Sequence, residues 1–373
     1  MTACAPVTML ISSLGAGGAE RVMATMAGHW AAEGRPVTLL TLRGETTPAF
    51  YDLHPAVDHR AIGGARPTRS VAAAAWQNGR RFWRTRNAVR ASRPDVLVSF
   101  IDSTNVLAIL VGKSLRIPVI VAEHTDPSQY SSGPIWNLLR SRLYPRADRV
   151  VVLSETVRDF FPTRLRAKIR VIPNPVVVQN RGAALDRASS GPERHVVALG
   201  RLSEEKRFDL LIRSFAATAR DRPEWRLTIW GEGPERAKLE AVRSESGMAE
   251  RIALPGATKE PHARLAEADL FVLCSRFEGF PMALCEAMAV GLPVIAVDCP
   301  SGPREIVRPG IDGVLTPLGD DGALRDAMAR LMDDPAERAR LALRAPEVLD
   351  RFGVERVMAV WDGLLAEVAA CAD

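Results

Sequence analysis

The sequence predicts an α/β protein made of two doubly wound parallel sheets. Short apolar, β-branched runs alternate with helical segments, and such an alternation is typical of parallel sheets covered by helices. The alternation occurs as two series, separated where Pro173, Asn174 and Pro175 interrupt the pattern. A chain of 373 residues is also too long for one ordinary core. We therefore expect an N-terminal domain over residues 1–173 and a second domain over residues 174–352.

Composition narrows the class of protein. Hydrophobic residues make up 47% and charged residues 25%, as in a folded globular chain. We find no apolar run long enough to span a membrane and no secretory signal pattern, so we expect a cytoplasmic protein. The five cysteines are odd in number and lack C-x-x-C spacing, which favours neither a disulfide framework nor a metal site. A net charge of +5 does not by itself indicate any class of partner. We expect no nucleic-acid partner.

The first element is a strand over Thr8–Leu14, followed by the glycine-rich turn GAGGAE and a helix to about Glu33. A dinucleotide site requires G-x-G-x-x-G/A, but Glu20 fills the last place, where it should crowd the contact of helix and strand. Arg43 follows the second strand, where an NAD enzyme has an acid. An NADP-dependent oxidoreductase therefore remains an alternative for this turn, although the pattern fits it poorly.

An arginine-rich segment follows from Arg66 to Arg93, with eight arginines and no acidic residue. We expect a helix for much of it, with Arg80, Arg81 and Arg84 on a different side from the aromatic residues. The bland alternative is a solvated helix that covers the sheet. The lack of any balancing acid favours an anionic ligand or surface. The sequence leaves open whether Trp76, Phe82 and Trp83 pack on the sheet or insert into a membrane interface.

Four further strands are predicted in the first half, over Val96–Ile101, Val119–Glu123, Arg149–Ser154 and Lys168–Ile172. The second of these ends in Glu123 and His124, at the carboxyl edge where open α/β sheets bind ligands. A single histidine is more often structural. Its position at this edge makes His124 a candidate functional residue.

The second series of strands begins with HVVALG and continues into GRLSEEKRFDLLIRSF, from Gly200 to Phe215. Arg201 and Lys206 lie between the end of that strand and the start of the next helix. Two fixed cations at this place can hold a diphosphate and stabilise it as a leaving group. Taken alone, two such residues are more often ordinary surface cations.

The stretch FEGFPMALCEAMAVGLPVIAVD, over residues 277–298, combines a loop, a helix and a buried strand. Glu278 precedes the turn and Glu286 lies on the helix, with seven residues between them. The amides at the start of a helix are unpaired and attract anions, and Met282 and Ala283 can donate there whereas proline cannot. One carboxylate before the turn and one on the helix could accept hydrogen bonds from separate hydroxyl groups of one ligand. Taken alone, two glutamates in an alanine-rich helix are more often a solvated face.

This stretch resembles the E-x7-E region of family 4 glycosyltransferases, which are retaining enzymes that use nucleotide sugars. The segment from Gly200 to Lys206 matches the same family's G-R-x-x-x-x-K frame. The resemblance extends over nearly the whole chain. It implies the GT-B architecture, in which two doubly wound Rossmann-like domains face a cleft, and a last helix, here 353–369, that packs back on the N-terminal, acceptor-binding domain.

The resemblance also implies roles for individual residues. Glu278 and His124 would act near the reacting sugar, and Gly17 and Gly18 would let substrate approach in the cleft. Arg201 and Lys206 would bind the diphosphate, Glu286 the ribose, and Leu254 the base. The donor site would comprise Arg201, Lys206, Leu254, Gly279, Phe280, Met282, Ala283 and Glu286. No metal ion or other cofactor is expected.

The opening SSLGAGGAERVMATMA, the VAEHT strand and the arginine-rich helix are similar to transferases that extend glycans linked to polyprenyl diphosphate. These include N-acetylgalactosamine transferases of bacterial N-glycan assembly. The resemblance implies a UDP-sugar donor, a lipid-linked glycan acceptor and peripheral contact with the anionic inner face of the cytoplasmic membrane through Arg80, Arg81 and Arg84. A nucleotide-sugar epimerase and an inert sugar-nucleotide sensor are the alternatives within the fold.

Overall fold

The computed structural model describes residues 5–15, 17–43, 49–63, 71–129, 133–178, 181–185 and 193–370. Ala16 of the glycine-rich turn, residues 66–70 of the arginine-rich segment, Cys4 and Cys371 lie outside these ranges. The chain divides into two compact units, Met1–Pro175 with Glu355–Asp373, and Val176–Val354.

The first unit contains a seven-stranded parallel sheet in the order β3-β2-β1-β4-β5-β6-β7. Its central strands β1, β4 and β5 are buried along their whole length, as expected of parallel strands covered on both faces. The strands are β1 Val7–Ile11, β2 Val37–Thr41, β3 Val57–Ala61, β4 Val96–Phe100, β5 Val119–Glu123, β6 Arg149–Val152 and β7 Ile169–Val171. The helices are α1 Gly18–Ala32, α2 Val71–Ser92, α3 Asp102–Leu115, α4 Pro134–Leu143, α5 Glu155–Phe160, α6 Thr163–Arg166 and, from the end of the chain, α15 Val354–Ala370, with a 3₁₀ turn at Tyr144–Arg146.

The second unit contains a six-stranded parallel sheet in the order β10-β9-β8-β11-β12-β13. Its strands are β8 Arg194–Leu199, β9 Trp225–Trp230, β10 Ile252–Gly256, β11 Leu270–Leu273, β12 Val294–Asp298 and β13 Val314–Pro317. Its helices are α7 Phe208–Thr218, α8 Arg236–Glu245, α9 Pro261–Ala266, α10 Met282–Ala289, α11 Pro303–Ile306, α12 Asp321–Asp333, α13 Pro335–Arg344 and α14 Val348–Phe352, with 3₁₀ turns at Glu204–Lys206, Ala249–Arg251 and Ala345–Glu347. In each unit the first three strands are added toward one edge of the sheet, and the chain then returns to the middle and adds the later strands toward the other edge. This order confirms the predicted α/β fold of two doubly wound sheets.

The ends of several helices follow from local chemistry. Asp320 accepts a hydrogen bond from the amide of Ala323 at 2.8 Å, and Asp334 accepts one from Glu337 at 2.9 Å, so α12 and α13 begin at side-chain caps. Helix α10 is followed by Gly291 at a φ of 90°, the left-handed conformation that glycine adopts without strain.

Helix α15 is attached to the first unit by two carboxylates. Asp362 accepts hydrogen bonds from the indole of Trp30 at 2.9 Å and from Arg35 at 2.8 Å. Glu367 binds Arg149 and, at 3.1 Å, Arg170. These contacts join the end of the chain to α1, β6 and β7.

Candidate functional site

In the second unit, the loop after β8 and the loop before α10 meet through an ion pair. The ammonium of Lys206 donates to the two carboxylate oxygens of Glu278 at 2.7 and 2.8 Å. Ser275, just after β11, donates to Oε1 of the same carboxylate at 2.6 Å. The Glu278 side chain is only 8% exposed, and that of Lys206 is 22% exposed. The sequence separates these residues by 72 positions, and the fold brings them together.

Burial and pairing act in opposite directions on Lys206. Burial favours the neutral amine, but the adjacent Glu278 carboxylate prevails and raises the pKa of Lys206 above its usual value. The ammonium is therefore a permanent positive charge at physiological pH. Such a charge beside a helix N-terminus can bind an anion.

Helix α10 begins directly after this pair. The first amides that bond within the helix are those of Leu284 and Cys285, which both donate to the carbonyl of Pro281, at 3.0 and 3.3 Å. The amides of Met282 and Ala283 therefore lie outside the intrahelical hydrogen bonds. Both residues are half-buried. Glu286, further along the same helix, is 1% exposed.

The remaining predicted donor residues lie around the same edge of the sheet. Gly279 is half-buried, and the ring of Phe280 packs edge to face on Phe352 with ring centres 5.4 Å apart. Phe280 thus stabilises the turn through its side chain. Arg201 follows β8 with an exposed side chain that extends into solvent.

A set of glycines brings the backbone of three loops close together at the ends of β8, β9 and β10. A Cβ added at Gly231 would lie 1.8 Å from the carbonyl oxygen of Gly200, and one at Gly233 would lie 2.3 Å from that of Leu202. Only glycine permits this packing. Leu254 is 8% exposed, and its carbonyl oxygen accepts a hydrogen bond from Arg236 at 3.1 Å. The carbonyl group of Leu254 is therefore held in a fixed orientation.

In the first unit, Glu123 lies at the end of β5 among hydroxyl groups. Its carboxylate accepts hydrogen bonds from Tyr144 at 2.8 Å and from Thr125 at 3.1 Å. Tyr144 also accepts one from Asn105 at 3.1 Å. Burial raises the pKa of Glu123 to about 7. At neutral pH this carboxyl group is a mixture of the charged and the neutral form.

His124 lies next in the chain and is held against an aromatic ring. Its imidazole lies 4.0 Å from the ring of Phe100, and its Nε2 atom is buried without a hydrogen-bond partner. Burial lowers the pKa of His124 to about 3, so the ring is neutral at physiological pH. His124 can thus donate or accept a hydrogen bond but does not supply a positive charge.

The glycine-rich turn is covered by a side chain of its own helix. The carboxylate of Glu20 folds back over Gly17, where an added Cβ would lie 2.1 Å from Oε2. Gly18 is exposed, with open space around its Cα.

The expected separation of arginine and aromatic side chains on α2 is wrong for Arg80, and the aromatic residues do not share one side of the helix. Trp76 and Trp83 are 74% and 59% exposed, and Arg80 lies between them along the same exposed face. Phe82 packs against the core, whereas Arg81 and Arg84 are half-buried. Phe82 and Val89, seven residues apart, lie on the side of the helix that faces the core, whereas the two tryptophans lie on a different side.

Ser275 and Tyr144 are among the polar residues of these sites that the sequence did not single out. Ser275 precedes Glu278 by three positions, a spacing that could have suggested a hydroxyl contact across the turn. Tyr144 lies 21 positions beyond Glu123 and gave no local signal, because their contact depends on where the 3₁₀ turn at Tyr144–Arg146 lies relative to the end of β5.

Within the described residues, no three His, Cys, Asp or Glu side chains are grouped so that they could hold a metal ion. No helix in the same ranges is both long and apolar enough to cross a membrane.

Comparison with known families gives two adjoining matches. Residues 16–180 match the family described as Glycosyltransferase Family 4, and residues 186–348 match that described as Glycosyl transferases group 1. The boundary between them lies close to the division between the two units.

Two curated relatives illustrate the range of similar proteins. The chain is 26% identical over 363 residues to a Campylobacter jejuni α-1,4-N-acetyl-D-galactosaminyltransferase that acts on a GalNAc-GalNAc-diNAcBac-PP-undecaprenol, with 97% of this chain and 98% of that protein covered. It is 33% identical over 265 residues to an exopolysaccharide phosphotransferase of Streptomyces coelicolor, covering 69% of this chain. That match spans only 27% of the Streptomyces protein.

Solved structures share the fold at low sequence identity. HepE of Anabaena, crystallised with UDP and glucose, superposes with a TM-score of 0.78 at 19% identity, covering 97% of this chain and 99% of the other. This similarity supports the predicted GT-B fold. Together with the two family matches, it shows that the chain belongs to the family 4 glycosyltransferases of the GT-B fold.

Proposed function

We propose that this glycosyltransferase moves a sugar from a UDP-sugar to a glycan linked to polyprenyl diphosphate, with retention of configuration and without a metal ion. The observation that carries the proposal is the Lys206–Glu278 pair at the start of α10. It places a cation, a carboxylate and helix amides around one point, as a sugar diphosphate requires.

The second unit binds the donor in this proposal. Lys206 and Arg201 hold the diphosphate together with the amides of Met282 and Ala283, and stabilise the charge that develops as UDP leaves. Glu278 accepts hydroxyl hydrogen bonds from the sugar, and Glu286 accepts those of the ribose. The two cations and the helix dipole supply the charge stabilisation that a divalent ion gives other enzymes.

The comparisons support the choice of substrates. A structural relative is described as bound to UDP and glucose, which favours a uridine nucleotide. The Campylobacter relative acts on an undecaprenol-linked glycan, which favours a lipid-linked acceptor for this chain. In this proposal the first unit binds the acceptor, with His124 as a neutral hydrogen-bonding group.

The exposed face of α2 supports membrane contact. Trp76, Arg80 and Trp83 combine apolar rings with a positive charge, a pattern suited to the interface of an anionic membrane. Each basic side chain near such a surface contributes about 1 kcal/mol. We place the protein at the inner face of the cytoplasmic membrane, held peripherally.

A transfer assay tests the reaction itself. The protein is first screened for stabilisation by UDP- and GDP-sugars, and UDP release is then measured with and without a lipid-linked glycan. We expect UDP release only when the acceptor is present, with a product longer by at least one sugar. Conversion of the UDP-sugar into its epimer without acceptor would establish the epimerase instead, and donor binding without any turnover would establish a sensor.

Stereochemistry and metal dependence are tested on the same reaction. NMR of the product should show the anomeric configuration of the donor, and an inverted centre would contradict the proposal. Turnover should persist in a metal chelator. Loss of turnover that manganese restores would show that the reaction needs a divalent ion.

Membrane contact is tested by sedimentation with anionic liposomes. Trp76→Ser combined with Arg80→Glu and Trp83→Ser should weaken sedimentation in a salt-dependent manner while UDP-sugar binding persists. This variant avoids the half-buried Arg81 and Arg84. Arg213→Glu, at an exposed position on α7, is the matched control. Equal sedimentation of the triple variant and the parent at low salt would refute membrane contact through α2.

A further inference from the structure

Ser275 and Lys206 both donate hydrogen bonds to the Glu278 carboxylate, but the serine hydroxyl is neutral whereas the lysine ammonium is charged. Oε1 of Glu278 accepts from the neutral hydroxyl of Ser275 at 2.6 Å and from the Lys206 ammonium at 2.7 Å. Oε2 accepts from Lys206 at 2.8 Å. Ser275 is 1% exposed, so its hydroxyl is withdrawn from solvent and fixed by the packing around β11. The carboxylate is thus held by one charged donor and one neutral donor.

The backbone of Glu278 is fixed as well. Its amide donates to the carbonyl of Pro300 at 3.1 Å, and its own carbonyl accepts from the hydroxyl of Ser301 at 2.8 Å. With the main chain held at both groups, the remaining freedom of the residue is rotation of its side chain. Ser275 and Lys206 together restrict that rotation.

Binding of a diphosphate should affect the hydrogen bonds from Lys206 and Ser275 to Glu278 differently. This step rests on the proposed function, in which Lys206 also binds the donor diphosphate. A diphosphate carries more charge than one carboxylate and competes for the ammonium, so the hold of Lys206 on Glu278 weakens as the donor enters. The hydroxyl of Ser275 bears no charge and is not drawn away. Ser275 then still donates to Oε1 and holds it in place.

We propose that Ser275 is a positioning residue, which keeps Oε1 of Glu278 in place so that Oε2 faces the hydroxyl groups of the donor sugar. Recognition of the sugar depends on Ser275, whereas recognition of UDP does not. A hydroxyl suits this role because it orients the carboxylate without neutralising its charge. A carboxylate that can rotate loses the geometry on which discrimination between sugars rests.

The test compares two affinities in the same protein. Binding of UDP and of UDP-N-acetylgalactosamine, with UDP-glucose as a second sugar nucleotide, is measured by calorimetry for the parent and for Ser275→Ala. We expect Ser275→Ala to bind UDP like the parent and to lose about tenfold of the additional affinity that the sugar provides, equivalent to about 1.4 kcal/mol. Ser275→Thr restores the hydroxyl and should recover part of this loss.

Ser214→Ala is the matched control. Ser214 is also 1% exposed and lies on α7 of the same unit, so its replacement reports the cost of removing a buried hydroxyl away from Glu278. It should leave both affinities unchanged. Circular dichroism confirms that each variant is folded before binding is measured.

The outcomes separate this inference from the proposed function. If the parent binds neither UDP nor a sugar nucleotide, the proposed function fails and the role of Ser275 fails with it. If the parent binds a sugar nucleotide more tightly than UDP and folded Ser275→Ala keeps the same ratio, the proposed function stands and the positioning role is wrong. Equal loss of UDP and UDP-sugar affinity would also contradict it, because that pattern indicates a purely structural role.

Discussion

Glu123 and Glu278 are both buried carboxyl groups near the carboxyl ends of parallel strands, but their partners differ. Glu278 is paired with the ammonium of Lys206 and one serine hydroxyl. Glu123 accepts hydrogen bonds from two neutral hydroxyl groups, those of Tyr144 and Thr125. Burial raises the pKa of Glu123 to about 7, whereas the Glu278 carboxylate raises the pKa of Lys206 despite the burial of that amine.

The partners of Glu278 suit a charged carboxylate, whereas those of Glu123 also accommodate a neutral carboxyl group. A cation next to a buried carboxylate favours the ionised form, and hydroxyl groups alone offset only part of the cost of burial. Glu278 therefore suits a site that recognises hydroxyl groups beside a diphosphate. Glu123 suits a structural role that fixes the turn carrying His124.

Removing the cation should have the largest effect on stability. Lys206→Met leaves the Glu278 carboxylate buried without its ion-pair partner, and we expect the free energy of unfolding to fall by about 3 kcal/mol. Denaturant unfolding measures this. Lys238→Met breaks an exposed ion pair with Glu235, where the lysine side chain is 56% exposed, and should lower the free energy of unfolding far less than Lys206→Met does.

A double variant tests whether the loss of stability in Lys206→Met comes from the unpaired charge of Glu278. Lys206→Met combined with Glu278→Gln removes both charges and should recover most of the lost stability. If the double variant were as unstable as Lys206→Met alone, the loss would come from packing, and Glu278 would not be the charged member of the comparison.

The second prediction concerns pH. Glu123 has an ordinary pKa near 4.5 when unfolded and about 7 when folded, so the folded state binds more protons between these values. The free energy of unfolding should therefore fall as the pH rises from about 4.5 through 7, by up to about 3 kcal/mol. Glu123→Gln should remove this part of the slope.

The matched control is Glu355→Gln, at an exposed position at the start of α15. Unfolding measured between pH 5 and pH 8 should give parallel curves for this control and the parent. A Glu123→Gln variant with the same pH slope as the parent would show that Glu123 remains charged in the folded protein, and the comparison with Glu278 would fail.

The smallest expected effect is that of Tyr144→Phe. The tyrosine hydroxyl donates to Glu123 and favours its charged form, so removing the hydroxyl raises the pKa of Glu123 further. We expect a loss of about 1 kcal/mol, with the fall in stability displaced to higher pH. Thermal unfolding across the same pH range measures both changes, and an unchanged pH dependence would show that the hydrogen bond does not influence Glu123.

The sequence predicted the fold well because its signals were local. Buried strands such as Val96–Phe100 are continuous apolar runs, and glycine ends α10 at Gly291. The strand boundaries were less accurate. The first strand was expected to reach Leu14 but ends at Ile11, since apolar character continues into the loop after the sheet pairing has stopped.

The sites were predicted less completely, because their geometry depends on contacts distant in sequence. Motif spacing singled out Lys206 and Glu278 separately, but their pairing follows from two loops at the same edge of the sheet. Periodicity alone separated the tryptophans of α2 from Arg80, although Trp76, Arg80 and Trp83 share one exposed face, since an apolar ring does not by itself indicate the side that faces the core. The roles assigned to the donor residues stay predictions.

The central claim is that the second unit binds a nucleoside diphosphate through Arg201 and Lys206, and calorimetric titration with UDP in a metal chelator tests it most directly. The parent and Arg213→Ala, which removes an exposed arginine of α7, should bind UDP with equal affinity. A folded variant with Arg201→Ala and Lys206→Ala should show no measurable binding. Unchanged UDP affinity in that folded double variant would contradict the account.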